Sequence, residues 1–342
     1  MHQRRRFSRV LSLAITLLLF LPVTGNAKSP VDDLMQDDRP LSEPLSLPSW
    51  FKLSFLDINE DIRDANRNDR GLILYFGQDN CPYCRALLEH DWGQTDIVTY
   101  TRAHFDVVAI DVRGQRMLTG LDNKQYTEKA YAIKLRTNFT PTLLFFDKEG
   151  NLALRLAGYR PPYQFRAALE YVADLHHRSE DFAHYLARAE PAFSYGEDKL
   201  NRHPAFSRPP LDLSAMLRDS GQPLLVAFER RRCHACDVLH AGPLQDPRIL
   251  DLLQKLQAVQ IDMRAETTLV TPQGIKLSAA QWADRLGLSY APTLIFYGDD
   301  GQEVIRVDSV VGFYRLSGVM QFVVSGGYKR FPTYQLWRQR KQ

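Results

Sequence analysis

Short unbroken apolar runs fall at regular places along this chain. Leu72–Phe76 and Leu224–Phe228 carry no polar residue, which is how a central strand covered on both faces reads. Thr142–Phe146 and Leu152–Leu156, joined by Asp147-Lys148-Glu149-Gly150, predict a β-hairpin. Between these runs the spacing changes from strand to helix. Phe55, Ile58, Ile62 and Ala65 recur at helical intervals over Phe55–Asn68. Thr95 is placed to cap a helix ahead of a strand at Phe105–Asp111, Tyr126–Leu135 reads as a helical insertion, and Pro162–His177 as a closing helix. The same order recurs later, with Gly298-Asp299-Asp300-Gly301 as the hairpin turn and Tyr314–Val324 as the last helix.

The recurrence extends to individual residues. With Cys81 set on Cys233, Phe76 falls on Phe228 and Val108-Ala109-Ile110-Asp111 on Val259-Gln260-Ile261-Asp262. Thr140-Pro141-Thr142 falls on Ala291-Pro292-Thr293, and the interval from cysteine to proline is 60 positions in one half and 59 in the other. Agreement at this many landmarks indicates a duplicated unit. The expected division is a signal peptide at 1–27, a lead-in at 28–48, a first domain at 49–178, a linker at 179–207, a second domain at 208–328 and a basic tail at 329–342. Four prolines and many charges mark the lead-in as poorly ordered, and the tail reads as a frayed end.

Arg4, Arg5, Arg6 and Arg9 precede an apolar core at Leu11–Leu21, and Gly25-Asn26-Ala27 offers small residues for cleavage. That is the layout of a secretory signal. It predicts a periplasmic protein, the alternative being one anchored to the inner membrane by an uncleaved signal. Removing residues 1–27 takes four Arg and no acid, which leaves 39 basic against 40 acidic residues. So balanced a chain has no electrostatic footprint for nucleic acid.

All four cysteines lie in two pairs, Cys81-Pro82-Tyr83-Cys84 and Cys233-His234-Ala235-Cys236, each between an apolar strand and a helix. This is a setting for redox chemistry. A zinc site would need the two pairs face to face, and the strand–dithiol–helix context accounts for the cysteines without metal or cofactor. Disulfides closing such short loops restrain the unfolded chain little, which argues against a purely structural role.

A dithiol after the first strand, with Thr140-Pro141 or Ala291-Pro292 ahead of the hairpin, resembles the thioredoxin superfamily in both halves. The long interval from cysteine to proline, with a helix inserted, looks more like the SoxW-like periplasmic thioredoxins. The resemblance implies an α/β fold of two tandem thioredoxin-like domains, each a central mixed sheet flanked by helices. It implies that Cys81 and Cys233 attack, stabilised as thiolates at a helix N-terminus, and that Cys84 and Cys236 resolve the mixed disulfide. It also implies that Pro141 and Pro292 follow cis bonds, and that Thr140 and Ala291 offer backbone to a substrate strand. Arg232 and His234 beside Cys233 predict the more acidic thiol there. Thioredoxin's buried aspartate six positions before the first cysteine is replaced by Tyr75 and Ala227; Glu89 and Asp237 read as exposed helix carboxylates.

The expected activity is exported thiol–disulfide exchange, with reduction of protein or sulfur-carrier disulfides and electrons from a DsbD-type membrane thiol transporter. A disulfide oxidase or isomerase, or a binding module or chaperone for exported proteins, is the alternative.

Overall fold

The computed structural model describes residues 37–189 and 199–340. The expected signal peptide (1–27) and residues 28–36 of the lead-in lie outside them. No helix among the described residues is long and apolar enough to cross a membrane.

Two four-stranded mixed sheets organise the chain. In the first, β1 (Gly71–Gly77) is central, parallel to β2 (Phe105–Asp111) and antiparallel to β5 (Thr142–Phe146), which pairs with the edge strand β6 (Leu152–Ala157). Every residue of β1 is buried, as its unbroken apolar run predicts. A short ribbon of β3 (Met117–Thr119) and β4 (Gln125–Thr127) precedes the pair's return into the sheet. The second sheet repeats the plan with β7 (Leu224–Glu229), β8 (Gln257–Asp262), β11 (Thr293–Tyr297) and β12 (Glu303–Val307), and its ribbon is β9 (Thr268–Val270) with β10 (Lys276–Ser278).

Helices of the first half are α1 (Ile58–Arg67), α2 (Pro82–Ala86, continued by a π turn at Leu87–Asp91), α3 (Thr95–His104), α4 (Glu128–Lys134), α5 (Pro162–Ala173) and α6 (Phe182–Ala189). The second half supplies α7 (Leu213–Ser220), α8 (His234–Ala241), α9 (Pro247–Leu253), α10 (Ala279–Arg285), α11 (Phe313–Val324) and α12 (Tyr334–Gln339).

Several local details differ from the sequence reading. The described part of the lead-in is not poorly ordered but is held to the first domain by Leu41–Asn80 bonds and a buried Asp38, and the closing helix of the first half ends at Ala173, not His177. Phe55 does not begin α1 but is fully exposed; the Asp57 carboxylate accepts the Glu60 N–H at 2.9 Å and starts the helix one residue later, at Ile58. Tyr126 lies in the ribbon, and the inserted helix begins only after Thr127 caps it. The described part of the tail is not frayed. Tyr334 and Trp337 of α12 are buried, and their rings pack on each other and on Phe322 of α11.

The two domains are fused rather than strung together. The sheet faces bearing Ile73, Tyr75 and Phe145 in one half and Leu225, Ala227 and Phe296 in the other belong to one continuous apolar core. The opposite faces keep separate cores. Equivalent loops meet at the junction, where the Val310 N–H donates to the Tyr159 carbonyl at 3.1 Å. Gly158 packs so close to Ser309 that a Cβ there would sit 2.1 Å from its Oγ, and its φ of +95° independently favours glycine. Arg160 reaches across to Asp308 and to the Ser289 hydroxyl, each at 3.3 Å.

Trp337→Ala should therefore lower unfolding stability by about 3–5 kcal/mol in denaturant titration, the cost of emptying a buried aromatic site. A loss indistinguishable from zero would restore the frayed-tail reading.

Candidate functional site

Each dithiol is held by its own helix start. Cys81 occupies the N-cap of α2, and its sulfur accepts the Cys84 N–H at 3.0 Å. Cys233 caps α8 in the same way, with the Cys236 N–H at 3.1 Å. A sulfur in this position faces free backbone N–H groups and the positive end of the helix, which favours the thiolate. The pairs are joined as disulfides with Cα atoms 5.2 Å apart in both halves.

The proline landmark falls beside each pair. Thr140–Pro141 and Ala291–Pro292 are cis. Cys81 Sγ lies 3.5 Å from the Thr140 carbonyl and 3.3 Å from its hydroxyl. Cys233 Sγ lies 3.6 Å from the Ala291 carbonyl. The structure thus brings Cys81, Cys84, Thr140 and Pro141 into one site and Cys233, Cys236, Ala291 and Pro292 into another. Arg232 and His234 are exposed beside Cys233, while Arg231 pairs with Asp262 at 3.3 Å.

The surroundings of the two sites differ more than the sequence indicates. Pro82 and Tyr83, between the first cysteines, are buried; His234 in the second pair is exposed and Ala235 half-buried. The Tyr83 hydroxyl donates to Asp38 at 2.7 Å and accepts the Gly312 N–H at 2.7 Å. Burial first, and then the Asp38 carboxylate, push this phenol well above its ordinary pKa, so it stays protonated and donates. Asp38 and Gly312 lie in the lead-in and in the second domain. Neither was marked by any local pattern as part of the first dithiol's surroundings.

Two buried carboxylates were not singled out by the sequence reading. Asp91, at the end of the π turn that continues the first dithiol helix, is fully buried and accepts the Tyr159 hydroxyl at 2.9 Å. Burial drives its pKa well above the usual carboxylate range, and the Tyr159 bond opposes this only in part. Glu229, at the end of β7, is buried against His240 Nε2 at 2.8 Å and Gln260 Nε2 at 3.0 Å. Its inward direction was readable, because Leu225, Ala227 and Glu229 alternate on the face that packs against α8. Glu89 is exposed, and half-buried Asp237 accepts the Asn201 amide at 2.8 Å.

Two helix-start dithiols, each beside a cis proline on a mixed sheet, define a thiol–disulfide oxidoreductase. The model of the thioredoxin-like domain family matches residues 58–173 and again 214–323, and the chain belongs to that family. No curated protein matches the chain. Among solved structures it is similar to a thioredoxin-fold protein from Helicobacter pylori, at 23% identity and a TM-score of 0.31 over 39% of this chain and 89% of that one. A thioredoxin from Thermus thermophilus aligns at 24% identity and TM-score 0.28, covering 34% of this chain and 84% of its own. The C-terminal domain of DsbD from Neisseria meningitidis aligns at 18% identity and TM-score 0.27, covering 32% and 89%.

Asp91 yields a signed pH dependence. A carboxyl whose folded pKa is raised contributes stability fully below its unfolded pKa and loses it as pH rises through the folded value. Asp91→Asn keeps the shape and removes the titration. Its unfolding midpoint relative to the parent should therefore rise from pH 3.5 to pH 7.5; a difference that stays constant or falls would show that Asp91 titrates as in the unfolded chain.

Proposed function

We propose that this oxidoreductase is exported to the periplasm by its cleaved leader and there reduces disulfides in proteins or sulfur carriers. The observation that carries the reading is Cys233 at the start of α8, beside the Ala291–Pro292 bond, with His234 exposed at its flank. The layout of residues 1–27 supports export, and the SoxW-like interval between cysteine and proline supports the substrate class.

The step is a two-electron exchange. The Cys233 thiolate attacks one sulfur of the substrate disulfide, and the other leaves as a thiolate that takes up a proton. Cys236, losing its own proton, then displaces the substrate from Cys233. The substrate departs as a dithiol, and Cys233–Cys236 closes as a disulfide. The Ala291 backbone beside Cys233 positions the incoming strand. A DsbD-type membrane thiol transporter returns the two electrons, since outside the cytosol a reductant must be supplied by a dedicated donor.

Equilibration of each dithiol with glutathione tests the direction of flow. Potentials near about −270 mV are expected, the region of thioredoxin; values near about −120 mV would make the protein an oxidant instead. Cys236→Ser should trap client proteins as mixed disulfides, and Cys233→Ser should not. Equal biological activity after loss of both Cys81 and Cys233 would favour a binding module or chaperone.

Arg232 and His234 set the acidity of Cys233 in this reading. Replacing both with Ala should raise the pH at which reduced Cys233 reacts with iodoacetamide. An unchanged titration would leave the helix terminus as the main influence.

A further inference from the structure

The first dithiol is covered by parts of the chain that are far away in sequence. The lead-in runs beside it, with the Leu41 N–H donating to the Asn80 carbonyl at 3.1 Å and the Asn80 amide returning a bond to the Leu41 carbonyl at 2.6 Å. Asn80 immediately precedes Cys81. Asp38 of the same segment is buried, and its carboxylate receives the Tyr83 hydroxyl and the backbone N–H groups of Tyr314 and Arg315 at 2.6 and 2.8 Å. Those two N–H groups open α11 of the second domain. Gly312, its N-cap, has no side chain to satisfy them. Asp38 is therefore the cap that α11 lacks, and its charge faces the positive end of a twelve-residue helix.

The third member is Arg315. Its guanidinium is buried, lies 3.5 Å over the Tyr83 ring, and donates to the Thr140 carbonyl at 2.9 Å. Thr140 carries the backbone that a substrate strand would use, so a side chain of the second domain already occupies that carbonyl. The space remaining beside Cys81, between Thr140, Gln78, Arg315 and Arg338, is about 40 Å³. That is room for about three water molecules and far too little for a peptide strand.

Cys233 is about as buried as Cys81, and Arg160 of the first domain lies over the Tyr290 ring nearby, but among the described residues no carboxylate–phenol–guanidinium trio covers the second dithiol. The third residue of α5, Gln164, corresponds to Arg315 of α11, but it bonds to Arg160 and Tyr163. Ala235 stands where Tyr83 stands, with no hydroxyl to offer.

We propose that Asp38, Tyr83 and Arg315 form a latch that closes the first dithiol to protein disulfides, so that these residues determine which of the two dithiols a protein substrate reaches. This rests on the oxidoreductase reading but concerns access, not chemistry. Opening requires the lead-in and α11 to leave Tyr83 and Thr140 together, because each of the three groups satisfies another. A client can use only the open fraction of molecules, and its apparent affinity falls by that fraction.

The experiment uses two proteins with one dithiol each, Cys233→Ser with Cys236→Ser and Cys81→Ser with Cys84→Ser, both pre-reduced. With insulin as the protein disulfide, the protein keeping only Cys81 and Cys84 should be slower by about tenfold or more. Iodoacetamide should label its Cys81 correspondingly slowly. Asp38→Ala added to that protein should accelerate both reactions toward those of the second dithiol. Tyr83→Phe removes only the hydroxyl and should accelerate them in the same direction if Asp38→Ala does not fold. Equal rates for the two single-dithiol proteins, or folded latch variants with unchanged labelling of Cys81, would overturn the proposal. Labelling reports the latch even if insulin is reduced by neither protein, a result that would count against the protein-reductase reading instead.

Discussion

The shared apolar core is the constraint from which the other features of this molecule follow. Each sheet has two apolar faces, and each domain alone can cover one of them with its own helices. The remaining faces and their helices are buried in a core that runs through both domains. Such burial is the main favourable term in association, and it does not specify orientation. Orientation comes from the polar contacts at the seam: Val310 on the Tyr159 carbonyl, Arg160 on Asp308, and the Tyr334 N–H on the Asn138 side chain at 3.1 Å. Once the domains are joined this way, the loop before β5 faces α11 and α12. The first dithiol is then part of an internal boundary.

That placement explains why duplicated units have diverged. The second unit keeps a polar, charged approach to its cysteines through Arg231, Arg232 and His234. The first has Pro82 and Tyr83, which suit a contact with protein. Burying Arg315 is costly unless its hydrogen bonds are met. Ser309, Val310 and Thr140 supply acceptors, and Tyr83 supplies a ring face. Asp38 lies close enough to offset its charge. Removing one member leaves the others unsatisfied in a dry environment, so the three behave as a unit.

Much of this was legible in the residues. Unbroken apolar runs marked the central strands because a polar side chain is costly where both faces are covered unless its hydrogen bonds are met. Cys81 and Cys233 could be placed at helix starts because strand, dithiol and helical spacing follow one another directly. What could not be read depended on partners far apart in sequence. Asp38 sits in Asp37-Asp38-Arg39-Pro40, which has the composition of a solvated segment, and its partners lie 45 to 277 positions away. The tail helix was hidden in the same way: Tyr334 and Trp337 show no periodicity in so short a stretch, and their burial depends on Phe322. Phe55 illustrates the opposite error. Its spacing fitted α1, but Asp57 is the residue that stops the chain from being helical earlier.

The chain order of Asp38 and α11 has a consequence for biogenesis. A polypeptide emerges from its N-terminus, and domains fold as they become available, at roughly 5–20 residues per second of synthesis. The first unit is complete more than a hundred residues before Gly312 and Arg315 exist. Until then Asp38 and Tyr83 lack the α11 groups they bond in the finished protein, and nothing from the second domain covers Cys81. If the latch closes as proposed, the newborn protein passes through a stage in which the second domain does not yet shield its earlier pair of sulfurs, and only the last helices to appear complete the cover.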